Sequence, residues 1–189
     1  LIPERRRYEP GETARFQVRM PFRAATALVA VEREGVAETF VTQLSGEEPV
    51  VEVPVTGAHA PNVFVSVLLV RGRQDAPAPT GSVDLAKPAY RLGIAEIQVG
   101  WKERELAVRV EPEQDVYRVR ETAAARVSVR TPDGAPPPPG AEVAIAVVDE
   151  GLLELMPNTS WKLLDAMMGR RSYGVRNATA SLQVVGKRH

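Results

Sequence analysis

Apolar and polar positions alternate with period two in short runs along this 189-residue chain, and helical periodicity is almost absent. Period two is the mark of a strand with one face buried. Arg15-Phe16-Gln17-Val18-Arg19-Met20 shows it plainly. Thr26–Glu32 is apolar on both faces and predicts a central strand, followed by strands at Thr39–Leu44 and Val50–Val55. Pro54, which has no ladder donor, marks an edge or a bulge. Asn62–Val70 is rich in β-branched residues and predicts a further strand. Arg71–Pro88 is polar and proline-containing, a loop. Tyr90–Trp101 offers Leu92 and Ile94, then Ile97, Val99 and Trp101, to the core, and the change of face between Ile94 and Ile97 predicts a bend or bulge. Glu105–Val110 alternates again.

Two echoes turn this list of strands into an architecture. The run Ala141–Leu155 repeats Ala25–Gly35 at an offset of 116 residues, with Glu150 over Glu34, Val147 over Val31 and Ile145 over Val29. Tyr8–Ala14 lies over Tyr117–Ala123 at an offset of 109, which carries Phe16, Val18 and Met20 onto Ala125, Val127 and Val129. The proline-rich Thr131–Gly140 accounts for the difference as a longer loop. Self-similarity in the same order means one module used twice. The fold class is therefore all-β, two tandem antiparallel β-sandwiches of the Ig/fibronectin III kind. They are expected at residues 1–101, lacking an opening strand, and 102–189, incomplete. Val29, Val31, Ile145 and Val147 are expected in equivalent core positions. Pro10-Gly11 suits a type II turn, whereas Val119-Arg120 in the second copy predicts a different one. One short helix is expected after Pro157, capped by Thr159 or Ser160, with Trp161, Leu164 and Met168 on one face and Gly169 as its stop.

Composition narrows the function. Lys+Arg and Asp+Glu are equal at 24 each, which argues against nucleic acid as a partner. The chain has no cysteine, so neither disulfides nor thiolate metal sites nor thiol catalysis can occur in it. No apolar run is long enough to span a bilayer, and no membrane contact is expected from this stretch. The start at Leu1 has the look of a piece of a longer chain. No constellation of an active site, metal or cofactor is visible. His59 and His189 lack ligand partners at usable spacing, and His59 is expected to cap a turn before Pro61. Asp149 and Glu150 are adjacent, too close in sequence to share one strand face. Beyond Gly169 the chain turns basic: Arg170, Arg171, Arg176, Lys187 and Arg188 occur with no Asp or Glu among them.

Several motifs resemble the macroglobulin domains of bacterial alpha-2-macroglobulins. They are Tyr8–Ala14, Leu28–Gly35, Ala60–Val67, Lys87–Gly93 and, most strongly, Val147–Leu153, similar to the strand before that family's bait region. Gly169–Tyr173 and Val185–His189 resemble the approach to the bait. The resemblance implies a macroglobulin-type fold and a periplasmic protease inhibitor of host-defence type, a lipoprotein held at the inner membrane by a segment elsewhere. Such a trap is cut in its bait, rearranges and holds the protease; its partners are proteases and neighbouring macroglobulin domains. On that footing Arg170, Arg171, Arg176, Lys187 and Arg188 are the candidate protease-accessible residues. The competing reading is a pair of Ig-like spacer or adhesion domains of a larger cell-envelope protein with no inhibitory role.

Overall fold

The structure, a computed structural model, describes residues 1–78, 80, 83–118, 120–158 and 162–176. They form two compact units, Leu1–Gly100 joined by Arg170 and the described residues after it, and Trp101–Gly169.

The first unit is a sandwich of two sheets. One has three strands in the order β1-β3-β6: β1 (Ile2–Pro3), β3 (Thr13–Gln17) and β6 (Val50–Pro54). The other has five, in the order β2-β8-β7-β4-β5: β2 (Arg7–Tyr8), β4 (Ala24–Glu32), β5 (Val36–Ser45), β7 (Asn62–Arg71) and β8 (Ala89–Val99). All pairings are antiparallel except the short β2–β8 contact, which is parallel. Phe16, Val29, Val31, Val51, Val53, Val65, Val67, Ile97 and Val99 are buried between the sheets. These are alternate positions along their strands, so the period-two pattern reads out directly as the core. Pro54 ends an edge strand, where its missing N–H costs nothing.

The predicted bend in β8 is absent. Its pairing with β7 is unbroken from Arg71↔Ala89 to Asn62↔Gln98. Leu92 and Ile94 simply lie on the outer, exposed face, while Ile97 and Val99 point inward. The bulge of this sheet falls between Val31 and Glu32, where β4 shifts register against β5.

The second unit repeats the opening of the first. Its hairpin, β9 (Ala107–Pro112) and β10 (Ala125–Arg130), pairs Pro112 with Ala125 and Glu111 with Arg126; the first unit pairs Pro3 with Phe16 and Ile2 with Gln17. Each is the other moved by 109 residues. The equivalent of β9 in the first unit is thus the two-residue β1.

The rest of the second unit departs from its sequence pattern. Residues 141–149 form no strand, and Ile145 and Val147 are exposed, Val147 to 94%. A strand needs a neighbour's backbone on at least one side. The equivalent β4 lies between β5 and β7, whereas the only ladder among the described residues of the second unit is β9–β10. Two short helices follow where one was expected: α1 (Glu150–Leu155), N-capped by Asp149 accepting from Gly151 N–H at 2.8 Å, and α2 (Leu163–Met167). Leu164 and Met168, on the predicted face, are half-buried, and Leu163 and Met167 beside them are exposed. The proposed caps Thr159 and Ser160, and Trp161, lie outside the described residues.

Candidate functional site

The acid-free stretch after Gly169 is the one part of the chain whose sequence points to a partner, and the structure places its first residues on the outer face of the five-stranded sheet. β7 begins with Asn62 and Phe64 on that face, β4 ends with Glu32 beside the bulge, and β8 contributes Glu96. Register makes them neighbours, since Phe64 pairs with both Glu32 and Glu96, and Asn62 with Gln98. Polar groups on an outer sheet face are ordinarily solvated. Here Asn62 is 1% exposed and Glu32 is 3% exposed. The segment Arg170–Gly174 contacts both.

Each contact has a distinct chemistry. Arg170 donates Nε and Nη2 to the two oxygens of Glu96, at 2.8 and 2.7 Å, the bidentate geometry in which Arg–carboxylate pairing is strongest. Glu96 in turn holds the guanidinium's pKa above its already high ordinary value. The carboxamide of Asn62 accepts from the Arg171 N–H at 2.8 Å and donates to the Arg171 carbonyl at 2.9 Å. One side chain thereby does for Arg171 what a neighbouring strand would do. Nδ2 of Asn62 also donates to Glu96, at 2.9 Å, tying the two receptors together. Tyr173 donates its hydroxyl to Glu32 at 2.8 Å and sets its ring edge-on to Phe64, centroids 5.1 Å apart. The Gly174 N–H donates to the Arg33 carbonyl at 2.7 Å. A Cβ on Gly174 would meet that same oxygen at 3.1 Å and Glu34 Cα at 3.2 Å, a tight fit that would make the Arg33–Glu34 backbone give way slightly.

Of the candidate residues, then, Arg170 is paired with Glu96, and Arg171 is held by its backbone, its guanidinium 3.8 Å from Glu34. Arg176 is exposed, and Lys187 and Arg188 lie outside the described residues. Asn62, Glu32, Glu96 and Phe64 were not singled out from the sequence. The available signal was polarity in the wrong place: Asn62 opens the most apolar segment of the first half and Glu32 closes ALVAVE.

The remaining candidate chemistry is structural. No group of three or more His, Asp or Glu that could hold a metal occurs among the described residues. His59 is buried, and its Nδ1 accepts from the Thr56 N–H at 3.2 Å, closing the one-turn 3-10 helix Gly57–His59. It caps the turn before Pro61, as predicted.

Residues 1–155 match the family model described as the alpha-2-macroglobulin bait region domain. An alpha-2-macroglobulin homolog of Nostoc sp. is 24% identical over 174 residues, 92% of this chain. An alpha-2-macroglobulin homolog of Deinococcus radiodurans is 35% identical over 95 residues, 50% of this chain. The aligned stretch is 9% of each relative's length. Arg170–Gly174 lies beyond the part matched by the family model.

Proposed function

The chain belongs to the alpha-2-macroglobulin bait region domain family, and from that membership we propose that it is the bait-flanking part of a protease trap. It acts as bait and scaffold and carries no catalytic group; an attacking protease does the chemistry. The observation supporting this reading is a basic, acid-free stretch, Arg170 to His189, that begins 15 residues past the end of the family match at residue 155. Proteases with a preference for basic residues find there Arg176, Lys187 and Arg188, and Arg170 and Arg171 once their segment is released. Neighbouring domains of the larger protein complete the trap, which works in the periplasm, tethered to the inner membrane as a lipoprotein and serving in host defence. With no cysteine among these 189 residues, this stretch takes no part in thioester capture.

The experiment is to incubate the whole protein with trypsin and separate the products by size. A trap is cut within residues 170–188 and retains the protease, which still hydrolyses a small peptide substrate but no longer digests a folded protein. Cleavage without retention would overturn the proposal and leave the spacer reading, which the docking of Arg170–Gly174 as folded structure favours.

A further inference from the structure

We infer that the outer face of the first sheet carries a peptide-docking site for the extended sequence Arg-Arg-Ser-Tyr-Gly, and that this site, filled by Arg170–Gly174, fixes where the cleavable chain begins. Four of the five positions are each recognised by a different group. Glu96 takes the first arginine, Asn62 the backbone of the second, Phe64 and Glu32 the tyrosine, and the Arg33 carbonyl the glycine N–H. Ser172 is exposed and unread. Two of the recognising groups, Asn62 and Glu32, are polar and almost wholly buried, a combination a sheet face bears only when something specific satisfies them.

The consequence for proteolysis follows from how proteases bind. A substrate enters the cleft as an extended strand whose backbone pairs with the enzyme. At Arg171 both backbone groups are already paired with Asn62, and the Arg170 guanidinium that a basic-specific pocket would need is clamped by Glu96. Cleavage at either residue therefore waits on undocking, and its rate follows the small open population. Arg176, two residues past Gly174, is exposed and free of that constraint. A cut there leaves the new end of the chain anchored to the first sandwich. The inference rests on reading the stretch beyond Gly169 as the approach to a bait, but the shielding itself does not depend on retention of a protease.

Timed trypsin digestion of the 189-residue protein, read by mass spectrometry, tests it alongside amide hydrogen exchange. Cutting after Arg176 should run at least tenfold faster than cutting after Arg170 or Arg171. The amides of Arg171 and Gly174 should stay protected, even after the Arg176 cut. Glu96→Gln, at the rim of the site, should speed both Arg171 cleavage and Arg171 amide exchange several-fold with the Arg176 rate unchanged. The double exchange Glu96→Arg with Arg170→Glu should restore protection at Arg171. Equal rates at Arg171 and Arg176 in the parent, or a Glu96→Gln protein with unaltered Arg171 exchange, overturns the inference. A whole protein that shows this cleavage order yet retains no protease would overturn the trap and leave the docking site standing.

Discussion

Arg120 holds the left-handed backbone position in the second unit that Gly11 holds in the first, with φ of 68° against 91°. The two lie 109 residues apart, and two side-chain bonds that frame them recur in both units. Tyr8 Oη accepts from the Arg5 N–H at 3.1 Å, and Tyr117 Oη from the Gln114 N–H at 3.0 Å. Glu12 accepts from the Glu9 N–H at 2.7 Å, and Glu121 from the Arg118 N–H at 2.7 Å. That bond to Glu9 N–H is also what holds the Glu12 carboxyl below its ordinary pKa. Val119, on which the different turn was predicted, lies outside the described residues; at Arg120 the tyrosine and glutamate bonds are those that frame Gly11. For a residue with a Cβ the left-handed well costs roughly 1–2 kcal/mol, partly offset by glycine's larger entropy loss on folding. Arg120→Gly should therefore stabilise this loop by about 0.5–1 kcal/mol, seen as several-fold slower exchange of the Arg118 and Glu121 amides. Faster exchange would refute this.

Identical bonds in the two copies should be worth different amounts. Tyr8 is buried, with the Arg5 guanidinium 4.5 Å over its ring, and Arg5 N–H has Tyr8 as its acceptor in a part-buried setting. Tyr8→Phe leaves that donor unpaired and should cost about 1–2 kcal/mol in chemical denaturation. In the second unit the same bond is exposed and water can replace it. Tyr117→Phe should cost less than about 0.5 kcal/mol. Equal losses would mean that burial does not set the value of this bond.

The strands of the first unit were legible because burial imposes period two, and the repeat was legible because Tyr8, Glu12 and their counterparts act through bonds three residues apart. Where the outcome depended on distant partners, local pattern was silent. Asn62 meets Arg171 across 109 residues and Glu32 meets Tyr173 across 141, and no spacing rule reaches that far. Ala141–Val148 failed for the complementary reason. It has the composition of β4, but among the described residues no strands flank it as β5 and β7 flank β4, and its apolar side chains are exposed.

That contrast gives a direct test at two positions the repeat equates. Val31 is fully buried between the sheets and Val147 is exposed. Val31→Asp buries a carboxylate without a partner and should cost several kcal/mol, enough to unfold the first unit under mild denaturant. Val147→Asp should change stability by no more than about 0.5 kcal/mol. A Val147→Asp protein as damaged as the Val31→Asp one would show that residues 141–149 occupy a core strand after all.

His59 supplies a dependence on pH whose sign is fixed by its surroundings. Burial is the main influence on its imidazole and lowers the pKa; Glu38, 3.8 Å from Nε2, pulls upward, and Arg33 pushes down again. The Thr56 N–H is donated to Nδ1, so the neutral ring carries its proton on Nε2, and protonating Nδ1 would break the cap. An unfolded histidine titrates near about pH 6.5. Below that value the unfolded chain binds a proton that folded His59 refuses, so the unfolded state gains. The stability that His59 contributes is therefore complete above about pH 6.5. It drains away as the pH falls from there through the depressed folded value. Unfolding free energies measured from pH 8 to pH 5 for the parent and for His59→Gln should converge toward the acid end, since the variant lacks this titration. A gap that stayed constant, or widened, as the pH fell would show that the buried ring does not resist protonation.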